Sequence, residues 1–338
     1  MQKSAVLITA LQGLEITEPL GAGCQITPGI LLTNDFRQVQ PYFDHQFRSL
    51  IGELEYHTLE QSKALLYTIG NPNSLPTVSL AQNVLIAFLS IAKAFMQSLW
   101  LIKDNAISTE LGFAQIFPAG RPTINSNFFP TIHSTSGGES PKTIFSRQEL
   151  RKAISLAKDF VFPCLSFKPE GGLQNLLSAL RAPTLTSQPS TSRMSRALNF
   201  AAGARAFNDV GWKDVLYCTA LESLFSTDAT ELTHKVSHRI AIFLGNTIEQ
   251  RTNLFAKVKK AYTFRSKVVH GDVIGKENTD QVAAVCTEID AILRQIILKI
   301  ATNPDLLKLF QGSKDTLEKY FLESSFSGQS SDTANQEV

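Results

Sequence analysis

Cysteine is scarce in this chain and scattered. The four in its 338 residues, Cys24, Cys164, Cys218 and Cys286, are far apart and form no C-x-x-C pair, so neither a zinc site nor a disulfide framework is signalled. That usage fits a reducing cytoplasm. Excess charge is lacking as well: 32 basic against 30 acidic residues leave a formal net charge of +2, which gives no global attraction to nucleic acid, so any such contact must come from a local patch. The first residues, MQKSAVLITALQGLEI, have a lysine but no long apolar core followed by a cleavage pattern, and no signal peptide is expected. Long apolar runs are also missing, with one exception at 81–102, apolar almost all round and approaching the length of a membrane span. Lys93 and Gln97 interrupt it and no flanking basic cluster would orient it. It reads as a buried core helix, and no membrane partner is expected. No internal repeat is visible.

What is present is 43% hydrophobic residues in a chain long enough to bury a sizeable core, and most simply two domains. The expected class is α+β. Residues 1–182 read as a mixed strand and helix domain, with short strands in AVLITA and GILLTNDF, the core helix at 81–102, irregular loops carrying short strands across 111–146, and helices at 147–160 and 173–180. His133, alone in a polar loop, is expected to face solvent and receives no role. A Pro, Ser and Thr-rich linker follows at 183–192, and a polar tail without aromatics at 327–338 is expected to be disordered.

Residues 193–326 read as helices with short turns, at 193–207, 212–225, 229–244, 248–270, 279–301 and 304–310, an all-α bundle pattern. Asn303 caps the last of these and Pro304 takes its first position.

One stretch here points to chemistry: YTFRSKVVHGD, residues 262–272. The helix entering it starts at Thr247, which has capping-box spacing with Gln250, and carries an apolar stripe through Leu254, Phe255, Val258, Ala261 and Tyr262. Arg265 falls near the middle of that stripe, so it is expected to point inward or into a partner. His270 would lie about 140° around a straight helix from Arg265. Gly271, a left-handed terminator, would put His270 on the last turn and free it to swing back toward Arg265. Ser266 shares a face with His270.

An arginine to hold phosphate, a neighbouring hydroxyl and an imidazole to move a proton form a metal-free constellation for cleaving RNA, whose 2′-hydroxyl supplies the nucleophile. Lys259, Lys260 and Lys267, with Lys257, offer the local basic patch; the bland alternative for the lysines before the motif is a solvated helix face. Glu222 is the only charge in VLYCTALESLF. It must be neutral, paired or at an interface, and the expected partner is Arg265 or Arg239, either to orient the site or merely to fix packing. His234 and His238, four apart on one helix, lack an HExxH glutamate and a nearby third ligand, so they read as surface or interface residues with no metal.

RSKVVHG resembles the R-x(4–6)-H signature of HEPN domains, and the surrounding helices, with ALESLF and ELTHKVSHRIAIFLG upstream, are most similar to the ApeA-like HEPN group. The resemblance covers about 192–326. It implies a homodimer in which two motifs face each other and form a composite, metal-independent endoribonuclease site, with no cofactor, acting as a toxin or antiviral defence effector. On it, Arg265, His270, Ser266 and Glu222 would be the site residues and Lys259, Lys260 and Lys267 the RNA contacts. The residue after the arginine in such motifs is often Asn, Asp or His; here it is Ser266. The alternative is a non-catalytic HEPN module that dimerises and binds RNA or nucleotides.

Overall fold

A computed structural model describes residues 4–128, 132–165, 192–228, 230–271 and 276–326. The expected helix at 173–180, the linker apart from Ser192, the tail at 327–338 and Asp272 lie outside them. The fold is α+β and divides into two compact units, Met1–Thr135 with Glu139–Pro189, and Ser136–Gly138 with Ser190–Val338.

The first unit is built on a six-stranded antiparallel sheet in the order β3-β4-β5-β1-β6-β7. Its strands are β1 (Ala5–Ala10), β3 (Cys24–Thr27), β4 (Ile30–Thr33), β5 (Leu65–Gly70), β6 (Leu111–Ile116) and β7 (Thr123–Phe128). A parallel pair, β2 (Leu14–Ile16) and β8 (Thr143–Phe145), stands beside it. AVLITA is β1, buried at every position. A strand hidden on both faces cannot alternate apolar and polar residues. Val6, Ile8 and Ala10 enter an aromatic cluster with Phe36, Phe43, Phe47 and Tyr56, contributed by short helical turns and by α1 (Phe47–Ile51) and α2 (Glu53–Gln61).

The 81–102 stretch lies within α3 (Val78–Ile102), a buried core helix packed on β1, β6 and β7. By length and composition it is the one described helix able to cross a membrane, and 78% of its apolar window is buried in the protein. Its approach to β6 is close enough that a Cβ on Gly112 would sit 2.8 Å from the Leu89 side chain, which is why the strand carries a glycine there.

The short strands expected within 111–146 are present, and β6 and β7 pair in register from Leu111–Phe128 to Ile116–Thr123 and complete the sheet. One expectation needs correcting. His133 does not face solvent: it is 2% exposed, and its Nδ1 N–H donates to the Ile107 carbonyl at 2.7 Å. A polar loop folded onto the protein must satisfy its buried ring in this way.

Helix α4 (Arg147–Leu156) of this unit is opened by a capping box in which Ser146 and Glu149 bond each other's backbone N–H, and continues as a wider turn through Ala157–Val161. Ser146→Ala is expected to lower this unit's stability by about 1 kcal/mol in urea unfolding.

The second unit is helical: α5 (Arg193–Arg205), α6 (Val210–Phe225), α7 (Leu232–Leu244), α8 (Ile248–His270), α9 (Lys276–Ala301), α10 (Pro304–Gln311) and α11 (Lys314–Phe326). The expected helices are all present within a few residues, and α11 is additional. Asn303 caps α10 by accepting from Asp305 and Leu306 N–H, with Pro304 at its start. α6 is the central element, packed by α5, α7, α8 and α9. Its C-terminal Phe225 sits among Phe243, Phe310 and Phe321, with ring centroids 5.6–5.7 Å away.

Candidate functional site

α8 begins with the anticipated capping box. The Thr247 hydroxyl accepts from Gln250 N–H, and the Gln250 side-chain oxygen accepts from Thr247 N–H. It ends at Gly271, φ +78°, a left-handed conformation that an ordinary side chain would strain. Val258, Ala261, Tyr262 and Phe264 are buried.

Arg265 takes the inward position that the apolar stripe implied. Its guanidinium is 3.2 Å from the Glu222 carboxylate on α6, with 29% of the arginine side chain and 17% of the glutamate side chain exposed. The guanidinium also lies 5.7 Å from the Tyr262 ring centroid. Arg239, the other partner considered for Glu222, is engaged elsewhere: it donates to the Phe225 carbonyl at 2.6 Å, to Thr227 at 3.1 Å and to Glu318 at 2.6 Å.

The pair sits on a buried polar seam between α6 and α8. Asp214, Cys218 and Glu222 are four residues apart on α6 and therefore share a face. Asp214 is fully buried and its Oδ2 has no hydrogen-bond partner among the described residues; the same holds for Arg265 Nε. Burial pushes the Asp214 carboxyl up to about 7, with the Arg265 charge opposing. Burial also raises the Glu222 carboxyl, opposed by Arg265 and by the Tyr262 hydroxyl, and drives the Cys218 thiol and Tyr262 phenol well above their ordinary values. Asp214, Cys218 and Tyr262 received no role at the site from the sequence. The signal was available as D-x3-C-x3-E, but the stretch read around Glu222 begins at Val215, one residue past Asp214.

The other predicted residues occupy a different side of α8. Ser266, Lys267, His270, Lys259 and Lys260 are all exposed. At 100° per residue they fall within about 100–220° of Arg265 and make one continuous solvent face. His270 is on the last turn, as expected, but it does not swing back. The backbone stays helical through it, so the offset from Arg265 of about 140° persists within one chain. The Lys267 ammonium lies 5.7 Å from the Phe264 ring centroid. Lys257 turns away to pair with Glu288 on α9 at 3.0 Å.

His234 and His238 stack at 6.1 Å between centroids, with Phe255 edge-on to His234 at 5.5 Å. No group of three or more His, Cys, Asp or Glu residues with metal-binding geometry occurs among the described residues.

One chain therefore presents a basic helix face ending in an imidazole, and behind it an arginine clamped by a carboxylate. The chain matches no family model, no curated protein and no solved structure.

Proposed function

We propose that the C-terminal unit is a HEPN-type, metal-independent endoribonuclease that cleaves RNA by 2′-hydroxyl attack as a homodimer. On this reading RNA lies along the solvent face of α8, with Lys259, Lys260 and Lys267 contacting phosphates. His270 moves the proton. Glu222 orients Arg265, which meets the scissile phosphate only where a second copy completes the site, and Ser266 lines that site. The role is that of a cytoplasmic toxin or defence effector, restrained or triggered through the N-terminal unit. The observation that carries the reading is the gathering of His270, Ser266 and three lysines on one exposed face at a helix end, next to an ion-paired, partly exposed arginine.

A second reading, a non-catalytic module that dimerises and binds RNA or nucleotides, is favoured by the offset of about 140° between Arg265 and His270. It is favoured also by the intramolecular engagement of Arg265 with Glu222. Incubating full-length protein with end-labelled RNA in EDTA separates the two. If the enzyme reading holds, wild type cuts and leaves cyclic phosphate ends, while His270→Ala cuts about 10²–10⁴-fold more slowly with an unchanged melting temperature. Wild type that binds RNA without cutting it, or His270→Ala that cuts equally well, removes the enzyme reading.

A further inference from the structure

Glu222 has a second neighbourhood. It helps line an open cleft of about 460 Å³, together with Arg193 and Arg196 of α5, Ser223, Asp228 and Lys314 at the start of α11. This volume is within the range of small-ligand pockets. The charges around it are unevenly matched. Both carboxylates are already neutralised from outside the cleft: Glu222 by Arg265 at 3.2 Å, and Asp228 by Lys235 at 2.8 Å. Arg239 nearby is likewise matched by Glu318. Among the described residues no carboxylate pairs with Arg193 or with Lys314.

Arg193 is the telling residue. It is only 9% exposed, and its guanidinium donates to a neutral acceptor, the Ser226 carbonyl, at 2.6 Å. A buried guanidinium without a counter-ion is costly unless an anion supplies the missing charge. Burial and the positive charges of Arg196 and Arg239 together depress its proton affinity, the mark of a cation crowded by cations. The planar fork of an arginine fits phosphate oxygens in a bidentate manner. Lys314, exposed at the rim, adds a point charge.

We infer that the cleft between α5, the end of α6 and the start of α11 binds a phosphate group of a nucleotide or an RNA strand, with Arg193 and Arg196 as its guanidinium ligands and Lys314 at its mouth. This goes beyond the cleavage proposed at α8 and does not depend on it. A His270→Ala protein, slowed in cleavage on the proposal above, retains the cleft.

The test uses full-length His270→Ala protein, with fluorescence anisotropy of a labelled oligoribonucleotide, calorimetry with ATP, and competition of each by inorganic phosphate. Arg196→Gln with Lys314→Gln is expected to weaken binding at least tenfold. With RNA as probe the variant also flattens the salt dependence by about two, one unit per lost phosphate contact. Lys152→Gln with Lys158→Gln, exposed cations of the other unit, is expected to change nothing. Should the double variant lose its fold, Lys314→Gln alone keeps the test, with a several-fold loss and a slope change of about one. ATP binding competed by phosphate identifies a mononucleotide as the source, and binding of RNA alone identifies the backbone. A double variant that is folded and binds all three probes as wild type does, or a wild type that binds none of them, overturns the inference.

Discussion

Arg265→Ala is expected to lower the stability of the C-terminal unit by about 3–5 kcal/mol at pH 8, and by distinctly less at pH 5, because it removes the cation that faces two carboxyls of the buried seam, Asp214 and Glu222. Asp214 and Glu222 both have folded-state pKa values raised above the ordinary carboxylate range, Asp214 to about 7. A carboxyl raised in this way holds its proton in the native state at pH values where the unfolded chain has lost it. Stability is therefore greatest at low pH and falls as pH climbs from about 4 through the folded value. Without the guanidinium both folded values rise further, so the fall continues to higher pH and the deficit at pH 8 grows. At pH 5 Asp214, its value near 7 raised further, is neutral in the folded variant and little is lost there. Urea unfolding at the two pH values, followed by circular dichroism, reads the difference. Asp214→Asn in the same background is expected to recover part of the loss at pH 8 and none at pH 5, since asparagine mimics the protonated acid. A deficit independent of pH would mean that Arg265 acts through packing alone. The result also bears on function: lost cleavage in Arg265→Ala conflates chemistry with folding, whereas exposed His270 is a clean probe.

Phe225→Ala carries the other large effect, an expected loss of about 3–5 kcal/mol. The ring is fully buried and touches three further phenylalanines from α7, α10 and α11, two of them near edge-on, so truncation opens a void with aromatic walls on most sides. Arg239, which donates to the Phe225 backbone carbonyl, would not compensate, because that bond survives the substitution. The void should leave α10 and α11 loosely held, so hydrogen exchange is expected to accelerate there before it does in α5. Phe225→Leu, which refills much of the volume, should restore most of the midpoint. Equal exchange throughout the unit would show that the cluster does not hold those two helices separately.

Much of the architecture could be read from local pattern. The capping box at Thr247, the stop at Gly271, the asparagine and proline opening α10 and the all-round apolarity of α3 are short-range signals whose physics is complete within a few residues. The inward position of Arg265 was legible for the same reason, being a matter of helical phase. The 111–146 region was legible only as loops carrying short strands, because β7, TINSNF, is mostly polar and gains its regularity from pairing with β6. Burial of His133 was hidden likewise, since nothing local says that a loop will fold back onto Ile107. α11 is too polar in pattern to declare itself until Leu317 and Phe321 are buried in the bundle.

The sequence by itself determined the helices of the C-terminal unit other than α11, and the inward phase of Arg265, because these depend on 3.6-residue periodicity and terminal hydrogen bonding alone. Only the tertiary structure decided which carboxylate clamps Arg265, that Asp214 is sealed beside it with a pKa near 7, and that Arg193, Arg196 and Lys314 converge on one cleft. Those facts join residues up to 121 positions apart in the chain, from Arg193 to Lys314. Burial and long-range electrostatics arise only when the helices that carry such groups are packed together.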